Sequence, residues 1–260
     1  MFDQLADGVY RRRYESLDLN IGVVIGEEGV LIVDTRATHV EADELRADLS
    51  TLTEKPVRWV IDTHWHWDHT FGNSRFPGAD IWGHHLCRKA LVERGDSMKQ
   101  DAAAWLPDRM REFDEVVITP PTRVFEDAAS LDLGGVTVTM SYHGLAHTDA
   151  DIVVTAGELA FFGDLVEEGA PPVFDDGYPL SWPGTLRRAL DVGSITIVPG
   201  HGDLFDRGAA STQLEEIEAV AATARRCIDE GLPVEDAARL GPYPEDVMKS
   251  ALSRAVELHA

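Results

Sequence analysis

Short apolar, β-branched runs alternate along the chain with segments whose apolar positions recur every three or four residues, and nearly every short run ends at Gly, Asp or Pro. The first rhythm predicts strands and the second predicts helices. Strands are expected at 21–25 and Val30–Val33, joined as a hairpin across Gly26-Glu27-Glu28-Gly29. Further strands are expected at 57–62, 79–82, 116–118, Arg123–Phe125, 136–140, 152–155, 159–162 and 195–198. In His39–Leu52 the apolar Val40, Leu45, Leu49 and Leu52 fall at helix-compatible offsets, and similar patterns cover 102–113, 183–190 and 212–230. Pro183 suits a first helical turn. No period of roughly 20 to 50 residues repeats, and Pro120-Pro121 and Pro171-Pro172 read as loop punctuation rather than as linkers. The pattern describes one α/β domain over residues 1–260 in which hairpins mix with crossovers. From about Arg207 the chain reads as helical, and its last stretch, 244–258, either caps the core or makes an oligomer contact.

Composition changes this picture in one respect. The 260 residues carry 23 Lys and Arg against 46 Asp and Glu, a formal charge of −23, while 44% are hydrophobic with six Trp and nine Phe. Such a chain has the material for a core, so its acidity is not the mark of a disordered solvating segment. The charge would repel phosphate backbones, and no Lys/Arg run longer than Arg11-Arg12-Arg13 offsets it locally. Nucleic acid and membrane are therefore not expected as partners; a small-molecule substrate is, with self-association left open. No run of about 18 apolar residues is present, and Met1–Gly8 lacks the basic-then-apolar layout of a signal peptide, so a cytoplasmic location is expected. Cys87 and Cys227 form no CxxC pair and read as two reduced, partly buried thiols.

Chemistry concentrates in Thr63-His64-Trp65-His66-Trp67-Asp68-His69-Thr70, directly after an expected strand. Three His and an Asp within six residues are hard to explain by core packing, because such side chains are seldom buried without partners. His64 and His66 alternate in the strand sense and can point the same way, whereas Asp68 and His69 follow after the chain has turned, so the two pairs diverge toward two adjacent metal positions. Further donors stand beside glycine at other strand boundaries: His147 in Gly144-Leu145-Ala146-His147, Asp164 after Gly163, and His201 between Gly200 and Gly202.

H-x-H-x-D-H, then an isolated His, then G-D, then G-H-G resembles the metallo-β-lactamase superfamily of metallohydrolases, from about Leu19 to about Leu204. The resemblance implies a four-layer αβ/βα sandwich, with two mixed β-sheets face to face, helices outside and metals at one edge, followed by a helical C-terminal segment from about 207 to 260. It implies one metal on His64, His66 and His147, a second on Asp68, His69 and His201, and Asp164 bridging them. Two divalent ions are implied, Zn first, with Fe or Mn as alternatives. A closed structural zinc site would favour four ligands including Cys, whereas seven N and O donors for two ions leave room for water or substrate.

Around these ligands, Trp65 and Trp67 are expected to wall the pocket and Tyr178 to offer it a hydroxyl, all three as candidate substrate contacts. Asp34 is expected to accept a hydrogen bond from a ligand rather than to ligate. His84-His85 read as capping or solvent-facing, His143 as a structural neighbour, and Arg11–Arg13 as an exposed strand or turn. No G-x-S-x-G elbow, G-x-x-x-x-G-K-[ST] loop or post-strand G-x-G-x-x-G competes.

The expected activity is hydrolysis of a small ester, thioester or lactone by a metal-bridging hydroxide, with Asp68 holding the hydroxide or moving its proton. Within the family pattern, Asp164 stands where β-lactamases typically carry another residue, and His66 stands where flavodiiron proteins carry Glu. Arg225-Arg226 is the one obvious basic pair after Arg207, which weighs against a glutathione thioester. A mononuclear iron oxidoreductase of the persulfide dioxygenase type and a β-lactam hydrolase are the alternatives.

Overall fold

The computed structural model describes residues 1–194 and 196–259. A seven-stranded sheet runs in the order β1 (Asp3–Ala6), β2 (Val9–Arg13), β3 (Asn20–Ile25), β4 (Val30–Val33), β5 (Val57–Ile61), β6 (Asp80–His84) and β7 (Arg123–Phe125). The first four strands are antiparallel neighbours and the last three add in parallel through helical crossovers. The second, six-stranded sheet contains β8 (Ala128–Asp132), β9 (Thr137–Tyr142), β10 (Ile152–Ala156), β11 (Leu159–Gly163), β12 (Thr196–Pro199) and β13 (Phe205–Asp206), and only β11 and β12 pair in parallel within it. Both sheets are mixed, as expected.

The period-two alternation of each strand decides which layer it feeds. Val24, Leu31, Val33 and Ile61 of the first sheet meet Val138, Met140, Val154, Phe161 and Val198 of the second in the core between the sheets. On the outer face of the first sheet, Val23, Ile32 and Val60 pack against Leu45 and Leu49 of α1 (His39–Leu52). The Thr38 hydroxyl accepts from the Glu41 N–H and starts that helix. On the outer face of the second sheet, Val153, Phe162 and Ile197 pack against α5 (Trp182–Leu190), α6 (Arg207–Glu230) and α8 (Glu245–His259), with the short α7 (Val234–Ala237) between the last two. Met248, Ala251, Leu252 and Ala255 of α8 are fully buried there, so the last helix caps the core.

Several expectations change. Residues 116–118 are irregular chain, not a strand, because they lead away from α4 (Met110–Glu115) with Val116 anchored in a helical cluster instead of a sheet. The helix expected at 102–113 is the meeting of α3 (His85–Trp105), a 3-10 turn at Pro107–Arg109 and α4. Pro107 lacks an N–H and disfavours helical geometry at Leu106, which has φ −127° and ψ 70°. β1, β2, β8 and β13 were not expected as strands with these bounds; β8 (AASLD) is short, lies at a sheet edge and has no strong apolar alternation. Of the strand expected at 195–198, Ile195 lies outside the described residues and the rest is β12. Arg11 is buried rather than exposed, paired with Asp3 at 2.8 Å. His84 is buried too: it occupies the N-cap position of α3 without a capping side-chain bond and stacks on Tyr142 at 4.0 Å. His85 is exposed and both cysteines are free and buried.

Candidate metal centre

The centre lies where the C-terminal ends of β4, β5, β11 and β12 converge at one edge of the sandwich. β5 ends at Ile61, the chain runs irregularly through His64 and His66, and a single helical turn, α2 (Trp67–Thr70), then swings Asp68 and His69 to the second side. His147 comes from the loop before β10, Asp164 follows β11, and His201 follows β12, where it bridges to Leu19. All seven donors expected from the sequence are brought together. His64, His66, His147 and Asp164 form one group and Asp68, His69 and His201 another, the ligand atoms of each group lying within 4.8 Å of one another.

Each imidazole is held by its outer nitrogen, which leaves the inner one facing the centre. Nδ1 of His69 lies 2.8 Å from Asp34 Oδ2, and Nδ1 of His201 lies 2.7 Å from the Leu17 carbonyl. His147 Nδ1 lies 3.1 Å from the Val173 carbonyl, and His64 Nδ1 lies 3.1 Å from Thr63 Oγ1. His66 is reversed: its Nδ1 faces the centre and its Nε2 faces Asp176 at 3.4 Å. Such contacts fix tautomer and ring orientation. Asp34 serves twice, since it also accepts from the Thr63 N–H at 2.8 Å, and it does so in a left-handed conformation with φ 67°.

The inner atoms have the spacing of ligands around a small cation. Two nitrogens each about 2.05 Å from one tetrahedral zinc sit about 3.3 Å apart. His69 Nε2 to His201 Nε2 is 3.4 Å, His201 Nε2 to Asp68 Oδ2 is 3.3 Å and His69 Nε2 to Asp68 Oδ2 is 3.5 Å. In the other group the imidazoles lie closer, with His66 Nδ1 at 2.8 Å from His147 Nε2 and 3.0 Å from His64 Nε2. Asp164 reaches both groups: Oδ2 is 3.4 Å from His147 Nε2, and Oδ1 is 3.3 Å from His69 Nε2. That same Oδ1 is buried with no hydrogen-bond partner, which a cation would supply. The residues fit a pair of divalent ions.

Charge agrees with spacing. Burial holds His64 well below the usual histidine range and brings His147 down to about 3. Burial acts the same way on His69 and His201, but Asp164 and Asp68 outweigh it and lift both well above that range. Burial would raise Asp164, yet His69, His201 and His64 hold it well below the carboxylate range. The centre thus keeps Asp164 ionised, with His64 and His147 neutral as metal binding requires, while His69 and His201 hold protons against the carboxylates that a bound cation would displace.

Gly200 has no side chain for a steric reason. A Cβ there would lie 1.8 Å from Asp164 Oδ1, so the G-H-G segment can pass behind the carboxylate only as glycine.

A cleft of about 830 Å³ opens over the centre, between α3 on one side and the loop 167–176 on the other. Trp65 and Trp67 line it, as expected. Trp65 is nearly buried, its Nε1 donating to Asp149 at 2.9 Å, and Trp67 packs edge-on to Phe113. Tyr178 lines a separate cavity of about 130 Å³ behind Trp65, not the cleft. His143 Nε2 contacts Ser141 Oγ at 2.9 Å. The sequence reading missed three acids. Asp176 holds His66. Asp151 accepts from the Thr148 N–H and hydroxyl, both at 2.7 Å, and shapes the turn that presents His147; burial raises it to about 7. Glu167 lines the cleft with a buried, unpartnered Oε1, and burial followed by Asp164 raises it to about 8. The Thr148-x-x-Asp151 spacing was a readable turn signal; Asp176 and Glu167 had none.

Residues 17–201 match the model of the metallo-beta-lactamase superfamily. The alpha subunit of 2,4-dinitroanisole O-demethylase from Nocardioides sp. (strain JS1661) is 27% identical over 251 residues, 94% of this chain and 68% of that protein. Metallo-beta-lactamase type 2 of Bacillus cereus is 26% identical over 201 residues, 75% of this chain and 71% of that protein. The solved sec-alkylsulfatase Pisa1 from Pseudomonas sp. superposes with a TM-score of 0.81 at 13% identity, over 99% of this chain and 50% of that one. The family match spans most of the sequence and contains six of the seven clustered donors between its ends and His201 at its last position: the chain belongs to the metallo-beta-lactamase superfamily.

Proposed function

We propose that the protein is a dinuclear metal-dependent hydrolase of a small ester, thioester or lactone. The observation that carries this reading is the pair of donor groups sharing Asp164, one of His64, His66 and His147 and the other of Asp68, His69 and His201. When bound, two divalent ions, zinc first with iron or manganese as alternatives, supply Lewis acidity and bring a water close to hydroxide at neutral pH.

The chain's own residues do the rest. Asp68 turns Oδ2 toward His69 and His201, which leaves Oδ1 to hold the attacking water, take its proton and pass it to the leaving atom. Asp34, Asp176 and the Leu17 and Val173 carbonyls keep the imidazoles aimed, so little reorganisation is needed during turnover. Trp67 and Met98 give the acyl or alkoxy part an apolar wall and exclude water from the reacting carbonyl. The whole chain acts as one domain, in the cytoplasm, on a small molecule, with self-association left to measurement.

The test is turnover of a panel of neutral thioesters, lactones, β-lactams and phosphodiesters by the metal-loaded protein, alongside metal content. Hydrolysis of the first two classes, abolished by a chelator, supports the reading; none in any class with full metal loading overturns it. A second reading has its own support. The tryptophans along the cleft, with the likeness to the O-demethylase subunit, favour cleavage of a bond to an activated aryl oxygen, and phenol release from an aryl ether would establish it.

A further inference from the structure

The cleft over the metal centre is one-sided in charge. Asp18 and Asp101 line it, and the loop opposite α3 adds Glu168, Asp175 and Asp176, while among the described residues no Lys or Arg does. Arg13 and Arg94 compensate part of this charge without lining the cleft: Arg13 pairs with Asp18 and Asp203, and Arg94, over the Trp65 ring at 4.1 Å, lies 3.9 Å from Asp176, which leaves Asp101, Glu168 and Asp175 with no cationic partner among the described residues.

The side of the cleft formed by α3 has a pattern of its own. Met98, Asp101 and Trp105 follow one another at offsets of three and four and all line the cleft, so they form one stripe of the helix that climbs from the floor to the rim. Met98 is buried at the bottom of this stripe. Above it Trp105 is 60% exposed, with most of its indole in solvent. Asp101 is exposed as well and has no cation within salt-bridge distance among the described residues. An indole face and a free carboxylate one turn apart are the two elements that recognise an organic ammonium group, the ring through its quadrupole and the acid through its charge.

We propose that Trp105 and Asp101 form a rim subsite for an organic cation, so that the substrate carries an ammonium group on the side away from its scissile bond. This rests on the hydrolase reading of the same centre, which leaves the substrate's charge open. The formal charge of −23 favours the approach of such a substrate from a distance, and the subsite gives it an orientation once it arrives.

The experiment uses the metal-loaded protein and a probe with no scissile bond: choline, compared with its uncharged carbon isostere 3,3-dimethyl-1-butanol, by ligand-observed NMR titration. Choline is expected to bind about tenfold more tightly at low salt, as about 1.4 kcal/mol from one exposed cation–π contact and one exposed ion pair would give. Asp101→Asn and Trp105→Ala, both at exposed positions, are each expected to bring the ratio to within about threefold. Equal affinity of the two probes in the unaltered protein, or a preference that survives both substitutions, would overturn the proposal. Because neither probe is turned over, this outcome is independent of the thioester and lactone assay, whose failure would instead remove the hydrolase reading.

Discussion

Replacing Gly200 with Ala sets a single methyl group against the centre. The new Cβ would stand 1.8 Å from Asp164 Oδ1, where an ordinary carbon–oxygen contact needs about 3.3 Å, so one of them must yield by about 1.5 Å. Gly200 is not in the left-handed region, so alanine meets no backbone penalty. Its N–H is anchored to the Gly163 carbonyl at 2.8 Å and its own carbonyl accepts from the Asn20 N–H at 2.8 Å, which leaves the Asp164 side chain as the part free to rotate. Metal–ligand distances tolerate errors of only about 0.2 Å. A carboxylate displaced by more than an ångström cannot serve both donor groups. The expected result is a folded protein, destabilised by about 1 to 3 kcal/mol, that holds at least one metal equivalent fewer and turns over at least about 100-fold more slowly. Elemental analysis of the dialysed protein gives the metal count, thermal unfolding the stability, and thiol release from a neutral thioester the rate. Full metal content with turnover within a factor of about two of the parent would refute the reasoning, because Asp164 would then not be needed where it stands.

Other expectations follow from the same geometry. Asp34→Asn removes the anion that orients His69, and metal affinity measured by competition with a chromophoric chelator is expected to fall by about 10- to 100-fold. His66→Ala or Asp164→Ala is expected to empty one or both metal positions and abolish turnover; an unchanged rate in a metal-depleted variant contradicts the assignment. His84 is held down to about 4 by burial, with His85 adding to the effect. Its folded-state value lies below the unfolded one of about 6.5, so its stability contribution is complete above the unfolded value and is lost as pH falls toward the folded one. In His84→Phe, the drop in urea-measured stability of the metal-free protein between pH 7 and pH 4.5 should shrink by about 2 kcal/mol; an unchanged drop would show that His84 is not the acid-sensitive group.

The cluster of candidate metal donors was legible because so many His and Asp side chains are hard to place in a core without a ligand. His64, His66, Asp68 and His69 crowd into six positions, and His147, Asp164 and His201 each sit at a strand boundary beside or near glycine. The sandwich was legible for a related reason: Val23 and Val24, or Leu31 and Ile32, serve opposite faces of doubly covered sheets, so the strands are continuous apolar runs. Strands exposed on one face were harder. β8 has little apolar content, and the run Arg11-Arg12-Arg13 of β2, expected as an exposed strand or turn, hid that its first arginine is buried against Asp3. α3 was hidden differently. Its buried positions Cys87, Ala90, Leu91, Met98 and Ala102 keep a helical spacing, but they are small or far apart among charged residues, and Gly95 interrupts the signal because it packs against Ile118. Asp176, which orients His66, and Glu167, which lines the cleft, come from a loop of irregular chain whose position depends on the fold around it, so neither period nor motif marks them.

The most direct test of the central claim is the metal count of the purified protein, taken together with turnover of a neutral thioester before and after chelation. The account predicts about two divalent ions per chain, zinc or manganese, with activity lost when they are removed and restored when they are returned. One iron per chain, with oxygen consumed and no hydrolysis, would contradict it.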